Sequence, residues 1–251
     1  MPANLSARAM QTLAAAAAAL LVAGSAEAGP PFLTDDPEPT EAGHWEIYGP
    51  LVQAEGQGPE WSGSAGVELN YGAARNVQLT LDLPVAFARA GGTTSVGAGD
   101  VAASVKLRVV NRTASHFQLA VFPGLTLPTA RSGLGAGRVT ALLPVWGQQD
   151  IGAWSVFGGG GYAINPGPGN RDFWTGGLAV SRSLGDRLLL GVEARRQGGD
   201  TVGDSATTSL GLGAIVTLGG PFRLLASGGP TFADRGGPAA WHSYLALGWD
   251  Y

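Results

Sequence analysis

Apolar and polar residues alternate with a period of two along most of this chain, which predicts β-strands almost from end to end. In one run Val77, Leu79, Leu81, Leu83, Val85 and Phe87 alternate with Gln78, Thr80 and Asp82. Successive side chains of a strand leave opposite faces, so one face there is greasy and the other wet. The same holds for Val101, Ala103, Val105, Leu107 and Val109 against Ser104, Lys106 and Arg108, and for Phe117, Leu119, Val121, Leu125 and Leu127 against His116, Gln118 and Thr126. It recurs in Leu188, Leu190, Val192 and Ala194 against Glu193 and Arg195, and in Leu210, Leu212, Ala214, Val216 and Leu218 against Ser209, Gly211, Gly213 and Thr217. The final run puts Trp241, Ser243, Leu245, Leu247, Trp249 and Tyr251 on one face, and His242, Tyr244, Ala246, Gly248 and Asp250 on the other. Weaker runs over roughly 44–54, 63–72, 138–146, 152–164, 173–183 and 221–228 bring the count to about twelve.

The connections alternate in length. Short ones fall at 73–76, 111–114, 147–150, 184–186 and 219–221; Gly- and Pro-rich long ones fall near 55–62, 89–99, 128–137, 165–171, 196–206 and 228–240. A membrane barrel with both termini on one side needs an even strand number, short turns on that side and longer loops on the other. Apolar faces bracketed by Trp and Tyr suit lipid-facing strands with interfacial aromatic girdles. The expected fold class is therefore all-β: a transmembrane antiparallel up-and-down β-barrel of about 12 strands over residues 44–251. A periplasmic β-sandwich is the competing fold, but its outer faces call for Lys and Glu, whereas the polar faces here hold many Gly, Ala, Ser and Thr.

Composition sharpens this reading. Hydrophobic residues make up 45% and charged residues only 14%, against the ~25% charged of soluble domains, so a soluble surface is hard to furnish. The chain has no Cys, which removes disulfides and thiolate metal sites, and a net charge of −4 argues against nucleic acid as a partner. At the N-terminus Arg8 precedes an apolar run, Leu13 to Ala23, too short to span a bilayer, and Ala26-Glu27-Ala28 is a small-x-small cleavage site. Residues 1–28 are accordingly expected to be a signal peptide, which exports the chain toward the bacterial outer membrane.

Residues 29–43 carry four prolines and four acids and cannot join a ladder, so an extended polar segment is expected there. Pro31-Phe32-Leu33-Thr34-Asp35-Asp36-Pro37, followed by Gly43-His44-Trp45-Glu46, resembles the start of proteins of the meta-pathway of phenol degradation family. That resemblance implies an outer-membrane β-barrel of transporter type, handling hydrophobic or aromatic compounds. The last strand likewise resembles the closing signature of bacterial outer-membrane barrels, which end in an aromatic residue. It implies the barrel-assembly machinery as a partner, beside outer-membrane lipid and a small-molecule solute.

Chemistry is expected on the wet faces. Glu46, Glu68, Asp82, Lys106, Arg108, His116, Glu193 and Arg195 are the candidates for lumen charges that select solutes, and structural pairing across the interior, such as Asp82 with Lys106 or Arg108, is the competing role. About twelve strands enclose a lumen between a filled barrel and an open pore, and small inner residues such as Gly211, Gly213, Ala102 and Ser104 are expected to keep space in it. Residues 29–41 are a candidate plug, with Asp35 and Asp36 facing Lys106, Arg108 or Arg195; a free periplasmic tail is the alternative. His44, His116 and His242 lie on separate strands, so no metal site is expected, and no cofactor either. Gly203-Asp204-Ser205 resembles a lipase-type serine block but lacks a strand-turn-helix setting, so no catalytic residue is assigned. The seven tryptophans read as a girdle. The function expected is passive uptake of small solutes; the alternatives are a non-transporting structural or adhesive barrel and a membrane-embedded hydrolase.

Overall fold

A computed structural model describes residues 30–251; the expected signal peptide, residues 1–28, lies outside them. Among the described residues the regular structure is entirely β. The first half of the chain forms β1 (Trp45–Gln57), β2 (Glu60–Ala74), β3 (Val77–Ala90), β4 (Thr93–Ala98), β5 (Val101–Arg112), β6 (Phe117–Val121) and β7 (Gly124–Leu127). The second half forms β8 (Thr140–Ile151), β9 (Trp154–Ile164), β10 (Phe173–Ser183), β11 (Leu188–Gln197), β12 (Thr207–Gly219), β13 (Phe222–Ala233) and β14 (Ala240–Asp250).

Each segment pairs antiparallel with its neighbours, and β1 pairs with β14 from Glu46–Asp250 to Gly56–Trp241, which closes the sheet on itself. Fourteen segments fill twelve positions around the barrel, because β4 with β5, and β6 with β7, are each one interrupted strand. The first break, Gly99-Asp100, has a partner: the Asp100 carboxylate accepts from Ala130 N (2.9 Å) and Ala136 N (2.7 Å), tying the 128–139 loop to the wall. At the second, Pro123 has no N–H to give a ladder, and its carbonyl accepts from Val105 N at 3.0 Å.

The termini meet at one end, where Trp45 and Tyr251 exchange backbone hydrogen bonds of 2.7 and 2.8 Å. All the turns at that end are short. At the opposite end, loops 128–139, 165–172, 198–206 and 234–239 are long, but two connections expected to be long are not. Gly58-Pro59 and Gly91-Gly92 are tight hairpin turns, and the residues expected in loops at 55–62 and 89–99 instead extend β1 to β4. Gly91 and Gly92 both have positive φ (56° and 80°), as a two-residue turn matching strand twist requires. Strands of 13 to 15 residues exceed the ~9–11 needed to cross a bilayer, so these hairpins project beyond the apolar belt.

The outward face carries Leu79, Leu81, Leu83, Val85, Leu143, Val145, Leu178, Val192, Leu210, Leu212 and Leu245, all exposed. Such a continuous apolar surface needs lipid around it. Trp45, Trp154, Trp174 and Trp241 stand exposed near strand ends, in girdle positions. Trp146 departs from the expected girdle: it points inward and is buried, opposite Ala120 and Gly159. Because the outer face must sit in hydrocarbon, Leu212→Arg, mid-strand on β12, is expected to destabilise the barrel by about 2–4 kcal/mol. Urea unfolding in lipid vesicles, followed by heat-modifiable gel migration, measures this.

Candidate functional site

The barrel interior has two unlike walls. Phe157, Leu189, Ile215, Leu225 and Ala246 form an apolar wall from the second half of the chain, continued by Tyr48, Leu51 and Tyr244. The facing wall, on β1 to β6, is polar: Glu46, Glu68, Asn70, Gln78, Thr80, Asp82, Lys106 and Arg108 all point inward by register. Residues 30–42 run between the two. The segment is irregular rather than simply extended, with turns and bends over 30–34 and at Pro37, and it ends at Gly43, whose N–H donates to Gly72 O (2.7 Å).

Each side of the segment matches the wall it meets. Phe32 is buried in the apolar cluster, edge-on to Phe157 with ring centroids 5.7 Å apart. Its ring occupies the space left by Gly191 and Gly213: a Cβ built on either would stand 2.5 or 2.6 Å from a ring carbon. The small inner residues therefore do not simply keep the lumen open; Gly191 and Gly213 seat Phe32, and Gly177 abuts Thr34. The buried Glu193 carboxylate accepts from Leu33 N and Thr34 N, both at 3.0 Å, and Ser227 Oγ donates to Pro31 O at 2.5 Å. On the polar wall, buried Lys106 Nζ lies 3.1 Å from Asp35 and 3.8 Å from Asp36, and 4.9 Å above the Phe122 ring. Arg108 lies 3.8 Å from Glu38, and Thr40 N donates to Gln78 Oε1 at 2.7 Å.

Two carboxylates around one ammonium leave one in excess. Burial pushes the Asp36 carboxyl well above the ordinary carboxylate range; Lys106 opposes this, and the neighbouring Asp35 and Glu38 charges add to it. A docked segment thus holds a proton on Asp36 more tightly than a free one does. By linkage, docking weakens as pH rises from the usual carboxylate range through the raised value.

Seven of the eight expected lumen charges point inward; Lys106 faces Asp35 and Asp36 as expected, whereas other expected pairings are not made. Glu46 accepts from Tyr48 Oη and Arg223 Nη2, each at 2.6 Å. Arg195 turns to Gln197 Oε1 (2.8 Å) rather than to Asp35 or Asp36. Asp82 does not pair with Lys106 or Arg108, because the β3–β5 register sets Asp82 opposite Ala102 and Lys106 opposite Gln78, four residues along. His116 is not on the lumen wall at all; it sits exposed in the β5–β6 turn with a φ of 53°. Ser205 lies in the loop after β11 and makes no hydrogen bond to a histidine among the described residues. No group of three or more His, Cys, Asp or Glu arranged for a metal occurs among them.

Sequence reasoning missed Phe32, Tyr48, Tyr244 and Arg223. Arg223 bridges Glu46 and Asp250 (2.8 Å) near the terminus end. Its position was readable from parity, since Phe222 and Leu224 face outward and so fix Arg223 inward.

The space left around the segment forms two cavities. One of about 730 Å³, toward the end that carries the termini, is lined by Glu46, Tyr48, Glu68, Asp82, Arg223 and Tyr244. Another of about 570 Å³, toward the long loops, is lined by Leu142, Trp146, Phe173, Thr175, Arg195 and Gln197. Both include Leu33, Asp35, Ala102, Ser104 and Phe122, so they meet where the segment crosses the lumen.

Similar architectures occur among solved structures. An outer membrane channel from Pseudomonas putida F1 superposes with a TM-score of 0.68 at 14% identity, covering 90% of this chain and all (100%) of that one. The KdgM porin, solved with disordered oligogalacturonate, matches with a TM-score of 0.55 at 10% identity, over 82% of this chain and 98% of the porin. The translocator domain of the autotransporter NalP from Neisseria meningitidis matches at 0.53 and 16% identity, over 97% and 95% of the two chains. At these identities the likeness is one of fold: a closed transmembrane barrel that different proteins use differently. No protein-family model and no curated relative matches the sequence.

The seat of Phe32 makes a direct prediction. Gly213→Val is expected to expel the ring and release the segment. Since the chain lacks cysteine, a Thr34→Cys reporter, fully buried when docked, should resist a thiol reagent alone and react readily when Gly213→Val is added.

Proposed function

We propose that this protein is a bacterial outer-membrane channel for passive entry of small solutes, with residues 29–41 as its plug. The observation that carries the reading is the pair of lumen cavities meeting at Leu33 and Asp35, so that the segment stands across the path between them. The apolar belt, the girdle positions and the porin-like fold support residence in the outer membrane. Export by residues 1–28 and assembly through the C-terminal strand belong to the same reading. So do the roles of Glu46, Glu68, Asp82, Lys106, Arg108, Glu193 and Arg195 as lumen charges. Lys106 and Glu193 act in it as anchors of the plug, because one neutralises its acids and the other receives its backbone N–H groups.

For the solute, the N-terminal motif and the aromatic lining of the outer cavity by Phe122, Trp146 and Phe173 both favour an apolar or aromatic body. The mechanism is diffusion: entry between the long loops, passage along the β3–β5–β7 wall past Ser104, and exit through the polar inner cavity. No energy-coupling element is needed for it.

Deleting residues 29–41 is expected to raise single-channel conductance in a planar bilayer several-fold, since the segment fills the junction of the cavities. A folded barrel whose current stays at baseline with or without the segment would refute an ion-conducting pore and leave a structural role or lateral passage of apolar solutes. Because docking tightens as Asp36 takes up a proton, the current of the full-length mature protein should also fall on acidification, and that of the deletion variant should not.

A further inference from the structure

Most acids of the segment and of the wall it crosses have partners. Asp35 and Asp36 face Lys106, Glu46 and Asp250 share Arg223, Glu38 lies near Arg108, and Glu193 receives two backbone N–H groups. Glu68 and Asp82 are different. They stand directly opposite each other on β2 and β3, both turned into the inner cavity. Neither has a basic partner among the described residues. The hydrogen bond to Glu68 comes from the neutral Asn70 Nδ2, at 2.8 Å. Like charges at directly opposed positions of a sheet repel, so the pair is stabilised by whatever brings positive charge to it, a proton or a cation that the protein does not itself supply.

A second observation marks the same place. Tyr244 lines that cavity from β14, the residue is only 7% exposed, and its hydroxyl has no hydrogen-bond partner among the described residues. Leaving a buried hydroxyl unmade is costly, and such groups in native structures call for an explanation. The nearby Tyr48 hydroxyl, by contrast, is committed to Glu46.

We propose, building on the channel reading, that Glu68, Asp82 and Tyr244 form a subsite for the cationic group of an organic solute, an ammonium or amidinium carried on an apolar or aromatic body. Two carboxylates accept its N–H groups, the phenol oxygen accepts another, and the tyrosine ring offers its face to the charge. Two carboxylates and one phenol are too few ligands to hold a stripped metal ion, which takes at least four to six. A hydrogen-bonding organic cation fits the donor set better, and a cavity of about 730 Å³ has room for one with an aromatic ring.

Benzamidinium, benzamide and benzoate are nearly isosteric and differ by charge, which makes them suitable probes. Uptake into vesicles carrying the refolded mature protein is measured for each, with protein-free vesicles as background, and binding to the same protein in detergent by calorimetry. The subsite predicts that benzamidinium enters about fivefold or more faster than benzoate and faster than benzamide. It also predicts that the preference and the benzamidinium binding are lost in Glu68→Gln/Asp82→Asn, and that binding is weakened in Tyr244→Phe. These variants preserve shape, and heat-modifiable migration verifies their barrels. If the three probes enter at equal rates, or the preference survives the double variant, the subsite is wrong and the channel stands. If none enters yet benzamidinium binds through Glu68 and Asp82, the channel reading fails and the subsite stands.

Discussion

A β-sheet can cross hydrocarbon only if it has no edge, because an unpaired backbone N–H or C=O in lipid costs several kcal/mol. The β1–β14 ladder meets that requirement here, and much else follows from it. Closure fixes the parity of every strand: once Leu245 must face lipid, Tyr244 and Ala246 must face the lumen. Each polar residue that the alternation sends inward is therefore gathered into one narrow space, whichever strand it comes from. Glu193 and Glu46, on opposite sides of the chain, become parts of one interior through closure alone.

That interior would be unfavourable if left to itself. It places acids and bases where water is limited, beside an apolar wall with gaps at Gly177, Gly191 and Gly213. The N-terminal segment satisfies both halves at once. Its aromatic ring fills the gaps at Gly191 and Gly213 and Thr34 the one at Gly177, its backbone N–H groups satisfy Glu193, and its acids neutralise Lys106. The docking is composite and modest in each part. Burial of Phe32 contributes about 1.5–3 kcal/mol, and the ion pairs add less because desolvation offsets attraction. An interaction of that size can hold a segment in place and still release it. Glu68 and Asp82 stand outside this compensation, and the proposed cation subsite rests on that.

The barrel was legible in the sequence because its two determinants are local. Period-two alternation marked the strands, and the outer set Trp241 to Tyr251 lies on the face the alternation assigns. Loop lengths were less legible. Near Gly58 and Gly91 the glycines that looked like loop signals serve as tight turns, and a turn glycine and a loop glycine read alike without the partner strand. Which charges face inward also follows from parity, but which of them meet does not. Register decides that, and a shift of four residues separates Asp82 from Lys106. His116 was misplaced because the alternation runs one residue past the true start of β6 into a turn. Phe32 carried no periodic signal, since a segment without a ladder has none; its role depends on glycines some 160 to 180 residues away.

The most direct test of the account is a reversible lock on the segment. A Cβ built on Gly177 would stand 3.2 Å from the Thr34 Cβ, a few tenths of an ångström inside the roughly 3.5–4.5 Å that a disulfide spans, so a small shift of the segment admits the bond. Thr34→Cys with Gly177→Cys, in a chain that has no other cysteine, should therefore cross-link on oxidation. Single-channel current is then followed in one bilayer before and after adding reductant. The account predicts a cross-linked barrel that conducts poorly, and a rise in current when the bond is reduced. Failure of the two residues to cross-link, or a current indifferent to reduction, would contradict it.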